Sequence, residues 1–308
     1  MKAYDTVVVG AGPGGMTAVL YLCRFGLKVA LVEKLTPGGQ LLSTFEICNY
    51  PGVSDTTPGW SLAENFDNHL KSYKFDRYYE KVHSLSFRDG RHTIKLDNET
   101  LSSKTVIVCT GATPKKMGIH NEDQLTGRGV SYCAMCDGPL FKNKTVAMVG
   151  GGNAALEEAL HLSNLVKKLY LIHRRDRFRA DKIYQDKILE RSDKIEPILG
   201  YTLITLHGEA ALTGITVIPT EGGEPRNIEV TGLFVFIGTR PVGDFLPAEL
   251  KKDAGGFVVT DCEMHTNIPG LFAAGDLRSK QCRQVVTAVG DGATAAYSAF
   301  AYIEQMPE

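Results

Sequence analysis

The 308-residue sequence has no long hydrophobic run. Segments such as Val106-Ile107-Val108-Cys109 and Leu233-Phe234-Val235-Phe236-Ile237 fall well short of the roughly 18 apolar residues that cross a bilayer. It has no excess of charge either: 34 Lys and Arg stand against 35 Asp and Glu. No global field would therefore gather nucleic acid or an anionic membrane, and any anion site must be local. No leader is visible, because Met1-Lys2-Ala3-Tyr4-Asp5 runs straight into Val7-Val8-Val9, and the expectation is a cytoplasmic chain. The paired cysteines of a secreted scaffold are missing too. Cys23, Cys48, Cys109, Cys133, Cys136, Cys262 and Cys282 are odd in number and scattered, and only Cys133 and Cys136 are close. With 43% hydrophobic and 22% charged residues, no collagenous, coiled-coil or low-complexity reading survives. The length gives room for roughly two domains.

What is present is an internal repeat. Thr6-Val7-Val8-Val9 runs into Gly10-Ala11-Gly12-Pro13-Gly14-Gly15, and Met16, Val19, Leu20 and Cys23 follow at helical spacing. A second copy begins at Thr145-Val146-Ala147-Met148-Val149 and continues through Gly150-Gly151-Gly152-Asn153-Ala154-Ala155, with Leu156, Ala159, Leu160 and Ser163 on one face of the next helix. Each is a strand, a glycine turn and a helix. In the pattern G-x-G-x-x-G/A the first glycine (Gly10, Gly150) makes the tight turn and the second (Gly12, Gly152) lets a pyrophosphate approach the backbone. The third small residue (Gly15, Ala155) lets helix and strand pack closely. Amides at the helix N-terminus then face the phosphates.

The two copies differ at the end of the next strand. Twenty-three positions after Gly10 comes Glu33, suited to accept hydrogen bonds from a ribose 2′-hydroxyl. The same count from Gly150 reaches His173, followed by Arg174, Arg175 and Arg179. Guanidinium forks match phosphate oxygens, so this site is expected to take the 2′-phosphate of NADPH rather than NADH. A solvated basic helix end is the competing explanation, since residues 167–182 carry seven basic and two acidic side chains. The shared register favours the phosphate site.

The repeat extends to Thr110-Gly111-Ala112-Thr113-Pro114 and Ile237-Gly238-Thr239-Arg240-Pro241, each closing an apolar strand with G-x-x-P. Both look like crossings between domains. Gly256-Phe257-Val258-Val259-Thr260-Asp261 and Pro269-Gly270-Leu271-Phe272-Ala273-Ala274-Gly275-Asp276 read as two further strands that would complete the first sheet. The expected fold is α/β, with two Rossmann-like dinucleotide-binding domains, the second inserted into the first. The boundaries are 1–114 with 242–308, and 115–241.

Cys133-Ala134-Met135-Cys136-Asp137-Gly138-Pro139 places two thiols three positions apart, which a local turn could close into a redox disulfide. A zinc half-site and two inert buried cysteines are the other readings. Zinc is disfavoured because neither Cys262 nor Cys282 has a Cys or His at ligand spacing, so no metal is expected. Asp137 could exchange protons with a thiol, or could simply serve the turn before Gly138-Pro139.

Taken in order, GAGPGG (10–15), PGGQL (37–41), NYPG (49–52), TGATP (110–114), CAMCDG (133–138), GGGNAALEEA (150–159), HRRDRFRA (173–180), FIGTRP (236–241), AAGD (273–276) and RQ with GDGATAA (283–296) cover almost the whole chain. In this arrangement the sequence resembles the low-molecular-weight thioredoxin reductases, the bacterial and archaeal type of pyridine-nucleotide disulfide oxidoreductase. The resemblance implies that the discontinuous domain binds FAD. Gly10, Gly12 and Gly15 would lie at the pyrophosphate and Glu33 at the adenosine ribose. Gly39, Gln40 and Asn49 would lie around the isoalloxazine and its linker, and the Val82 backbone near the adenine. Asp276 would hold the ribityl or pyrophosphate end, with Arg283 and Gln284 opening the last helix toward the flavin. The inserted domain would bind NADPH through Gly150, Gly152, Asn153, Ala155, His173, Arg174, Arg175 and Arg179.

The implied activity is thioredoxin-disulfide reduction, with electrons passing from NADPH through FAD to Cys133-Cys136. Cys136 would lie beside the flavin, Cys133 would attack the disulfide of a thioredoxin-like partner, and Asp137 would be acid and base. A rotation between domains, a homodimer, and no nucleic-acid or membrane partner go with it. Asn153 stands where the family usually has Asp, and binding is expected to survive. Gly14 replaces the usual Ala and is expected to relax the turn. Cys282 has no expected role. A ferredoxin-driven reductase of the same fold would dispense with the arginine cluster. A peroxidase-partner flavoprotein normally carries an additional N-terminal redox domain, whereas Val7 already begins the first strand.

Overall fold

The computed structural model describes residues 1–44, 46–47, 49–53 and 57–306, so Cys48 lies outside the described residues. The chain forms two compact units, Met1–Thr113 with Arg240–Glu308, and Pro114–Thr239. The first opens with β1 (Lys2–Val9), α1 (Pro13–Arg24) and β2 (Val29–Val32). After an antiparallel pair, β3 (Glu46–Ile47) and β4 (Thr57–Pro58), come α2 (Gly59–Leu70), β5 (Asp76–Tyr78), β6 (Ser84–Arg88), β7 (Arg91–Lys95), β8 (Thr100–Val108) and β9 (Ala112–Pro114).

The second unit contains α3 (Glu122–Leu125), β10 (Val130–Ser131), α4 (Ala134–Asp137), β11 (Thr145–Gly150), α5 (Asn153–Ser163), β12 (Lys168–His173), α6 (Lys182–Glu190) and β13 (Ile195–Leu199). The meander β14 (Tyr201–His207), β15 (Gly214–Pro219) and β16 (Arg226–Glu229) follows, then β17 (Gly232–Phe236) and β18 (Thr239–Pro241). The chain returns to the first unit with β19 (Leu271–Ala273) and α7 (Val285–Glu304).

The repeat seen in the sequence is a repeat of topology. The first sheet runs β5-β2-β1-β8 in parallel, and the second runs β13-β12-β11-β17-β10, also parallel. Each is the open α/β arrangement in which a ligand lies at the carboxyl ends of the strands. In the first sheet one edge of β8 is shared. Thr100–Ser103 pair with antiparallel β7, while Val106–Val108 pair with parallel β19. The residues beyond 240 thus complete the sheet begun by the first hundred.

The Val7–Val9 end of β1 is apolar without alternation because both its faces are covered. Val7 and Val9 enter one core with Val106 and Val108, and Val8 enters the other with Ile107 and Met16. Met16 and Leu22 of α1 are buried against Ala295, Ala296 and Ala299 of α7. Each large side chain contributes about 1.5–3 kcal/mol on burial.

Two expectations change here. Gly14 does not relax the turn. It lies inside α1, and a Cβ there would come within 2.9 Å of the Ala288 carbonyl, so the missing methyl lets α1 and α7 approach. Gly256–Asp261 forms no strand but only isolated bridges at Val258. The Asp253 carboxylate takes the amides of Gly255 and Phe257, which bends the chain into a turn and interrupts the ladder.

Candidate active site

In the first unit Gly10 has φ +101°, and a Cβ there would meet the Cys109 carbonyl at 2.6 Å. Gly12 begins α1 with no side-chain cap, and a Cβ there would meet nothing within 4 Å. The helix N-terminus thus offers free amides beside open space, the arrangement that binds phosphate. Gly39 approaches the same turn, its Cβ position 3.3 Å from the Gly12 Cα, and the Gly38 amide bonds the Ala11 carbonyl. Glu33, at the end of β2, accepts from the Ala11 amide (2.9 Å) and the Leu35 amide (3.0 Å). One lone pair remains on each oxygen for a hydroxyl donor.

Asp276 faces this end of the sheet. Its Oδ2 accepts from Gln40 at 3.2 Å, while its Oδ1 is buried without a partner. Burial pushes this carboxyl above its usual range, opposed by Lys280 and Arg283. A buried oxygen with no donor is where a ligand's hydroxyl would fit. Asn49 donates to Gln284 at 3.1 Å, and Arg283 stacks on Phe257 while donating to the Asp276 and Arg278 carbonyls. The Val82 side chain is buried in the core, leaving its backbone for contact.

The loop that holds Asp276 was not singled out by sequence reasoning. Asp291 of α7 accepts from the Gly275 amide (3.0 Å), from Arg278 (2.7 Å) and from Lys280 (2.9 Å), with all three charged side chains 12% exposed. Its signal was its place within GDGATAA, one turn and a half into the last helix.

In the second unit Gly150 is held by close packing against Ala155 and Phe236 rather than by a left-handed φ. Gly152 begins α5 without a side-chain cap and again faces open space. A Cβ on Gly151 would collide with the His173 ring at 2.3 Å. That ring is 6% exposed and stacks on Phe178 with centroids 5.8 Å apart. Burial, then Arg179, Arg175 and Arg174, hold its pKa below the usual value. His173 is therefore a neutral wedge beneath the turn, with a buried unpartnered Nε2. Arg174, Arg175 and Arg179 are exposed, and among the described residues none of them forms an ion pair with an acid. Uncompensated guanidiniums beside a glycine turn suit a phosphate. Asn153 exchanges two hydrogen bonds with Asp181.

Cys133 and Cys136 form a disulfide with Cα atoms 5.4 Å apart. Cys133 caps the single turn α4, and the Cys136 amide donates to its sulfur. Asp137 ends that turn. Burial raises its pKa, the Ser131 hydroxyl opposes this, and Oδ1 is buried without a partner. Such a carboxyl can hold or release a proton beside a thiol. Sequence reasoning also missed Ser131, whose only signal was its position two residues before Cys133. Glu122 was missed as well. It accepts from the Tyr132 hydroxyl and from the Met117 and Gly118 amides, fixing the approach to the disulfide.

Comparison with known proteins gives the family. The family model for pyridine nucleotide-disulphide oxidoreductases matches residues 4–292. The thioredoxin reductase of Treponema pallidum is 40% identical over 303 residues, covering 98% of each chain. The crystal structure of thioredoxin reductase from Streptococcus pyogenes superposes with a TM-score of 0.91 at 38% identity, covering 99% of each chain. A ferredoxin-flavin thioredoxin reductase from Clostridium acetobutylicum is more distant, with a TM-score of 0.55 at 31% identity and 99% coverage of each. The chain belongs to the pyridine nucleotide-disulphide oxidoreductase family, among its thioredoxin reductases.

Proposed function

We propose that this chain is an NADPH-dependent thioredoxin-disulfide reductase that delivers two electrons, by way of FAD and Cys133–Cys136, to the disulfide of a thioredoxin-like protein. The family uses FAD and NADPH. The observation that carries the reading is the Cys133–Cys136 disulfide with the unpartnered Asp137 oxygen beside it.

Residues 1–114 and 242–308 would hold FAD. Gly10, Gly12 and Gly15 would meet its pyrophosphate, Glu33 its ribose, Gly39, Gln40, Asn49 and Val82 its rings and linker, and Asp276, Arg283 and Gln284 its ribityl end. When bound, the flavin supplies a two-electron store between nicotinamide and disulfide. Residues 115–241 would hold NADPH, with Gly150, Gly152, Asn153 and Ala155 at the pyrophosphate. Arg174, Arg175 and Arg179 would take the 2′-phosphate over the His173 wedge.

In the dithiol, the Cys133 thiolate attacks a sulfur of the partner disulfide and releases one partner thiolate. Cys136 then attacks Cys133, re-forms the disulfide and releases the second. Asp137 takes the proton from the attacking thiol and returns it to the leaving sulfur.

The uncompensated arginines favour NADPH over a ferredoxin donor. Among the described residues no helix is long and apolar enough to cross a membrane, and a cytoplasmic protein without nucleic-acid partners fits the near-zero net charge. A homodimer is supported by the ring cluster Tyr21 of α1, Phe25 just after it, and Tyr297 and Phe300 of α7, where Tyr297 is 58% exposed. The test is Cys136→Ser. The variant should keep its flavin and its bleaching by NADPH without oxygen while losing reduction of oxidised thioredoxin. Full thioredoxin turnover in this variant would exclude the dithiol route.

A further inference from the structure

Ser131 is 4% exposed on β10, and its hydroxyl lies at the centre of the turn that carries the disulfide. It accepts from the Cys133 amide at 3.1 Å. Its one proton can go to the Cys133 carbonyl at 3.2 Å or to Asp137 Oδ2 at 2.6 Å, and the shorter contact to a carboxylate is the stronger. The same hydroxyl therefore holds the residue expected to attack and the residue expected to move its proton.

We propose that Ser131 is the positioning residue of the dithiol site: it clamps Asp137 to the Cys133 turn and biases the carboxyl toward its ionised, proton-accepting form. Oδ2 is engaged by Ser131 and Oδ1 is left unpartnered, so the exchangeable proton has one place to go. Few charges compete for this role. Helix α5, which packs on α4, carries Glu157, Glu158 and His161, while β10, β11, β17 and the turn Gly138–Phe141 carry none. None of these three shifts the Asp137 carboxyl, and the Ser131 hydroxyl is the group that opposes burial there.

The inference rests on the dithiol reading above. Its test is the pH dependence of single-turnover reduction of an oxidised bacterial thioredoxin by the pre-reduced protein. In Ser131→Ala the acid limb should move up by about one pH unit, so that well below it the rate falls about tenfold while the rate above it is kept. Ser131→Thr, which retains the hydroxyl, should keep the parent limb. In an Asp137→Asn background, Ser131→Ala should add no further loss. Flavin content and reduction by NADPH should not change in Ser131→Ala or Ser131→Thr. A Ser131→Ala profile that superimposes on the parent, or that is lowered equally at every pH, overturns the proposal. Turnover surviving in Cys136→Ser would instead remove the dithiol reading itself.

Discussion

Asn153 and Asp181 hold each other by two reciprocal hydrogen bonds: the Asn153 amide donates to Asp181 Oδ2 at 2.8 Å, and the Asp181 backbone amide donates to Asn153 Oδ1 at 2.7 Å. Asn153 opens α5 at the glycine turn, and Asp181 precedes α6 at the end of the arginine-bearing segment. The pair ties the segment that would read the 2′-phosphate to the helix that would receive the pyrophosphate. The Asn153 amide can donate to the carboxylate, whereas an Asp in its place would present a like charge.

Asn153→Asp should therefore loosen the arginine segment. The expected outcome is a KM for NADPH raised roughly three- to tenfold with little change in kcat, since about 1 kcal/mol of positioning is lost. Combining it with Asp181→Asn should return KM toward the parent. Steady-state kinetics checks both, and an unchanged KM in the single variant would assign the pair to the fold alone.

The arginines themselves should control nucleotide choice. Each charge-assisted bond to a 2′-phosphate is worth about 1.5–3 kcal/mol, so Arg174→Ala or Arg175→Ala should raise KM for NADPH at least tenfold and leave NADH almost unaffected. Anaerobic flavin bleaching by each nucleotide measures this. Equal losses with both nucleotides would place the arginines outside the phosphate site.

Much of this was legible because the glycine turns write their geometry into short spacings. The turn at Gly10, the open face at Gly12 and the helices after both turns follow from local backbone sterics, and so does the closing of Cys133 onto Cys136 within one turn. What was not legible depends on partners far apart in the chain. Asp291 reaches Lys280 and Arg278 across a loop, and Asn153 reaches Asp181 across 28 positions. The strand expected at Gly256–Asp261 failed for a related reason. Its apolar pattern was real, but the Asp253 side chain took the Gly255 and Phe257 amides and turned the chain at the segment's start. His173 kept its place in the register and changed its part, because burial leaves it neutral under the turn.

Asp291 yields a prediction about flavin retention. It is the carboxylate between Arg278 and Lys280, and it fixes the Gly275 amide next to Asp276. Asp291→Ala leaves two partly buried cations without their anion, which costs at most about 3–5 kcal/mol, the figure for fully buried pairs. Such a protein should lose FAD on gel filtration and unfold at lower temperature, and added FAD should restore part of the difference. Asp291→Glu should retain more flavin than Asp291→Ala. Equal flavin content in the alanine variant and the parent would refute the clamp.

Two buried groups outside the proposed chemistry set opposite pH dependences of stability. His92 is completely buried on β7, with Nε2 on the Pro269 carbonyl and Nδ1 unpartnered, and burial lowers its pKa from 6.5 to about 4. The unfolded chain binds its proton first on acidification, so the stability tied to a neutral His92 is present above pH 6.5 and drains away toward pH 4. Glu158 on α5 has a buried unpartnered Oε2, and burial followed by repulsion from Glu157 raises its pKa from 4.5 to about 7. Here the folded state holds the proton longer, so stability is full below pH 4.5 and falls as pH rises through 7. Glu158→Gln should raise Tm above pH 7 and leave it unchanged below pH 4.5, and His92→Leu should flatten the acid side alone. Calorimetric scans across this range check both; a Glu158→Gln gain of equal size at every pH would trace the effect to packing rather than to the proton.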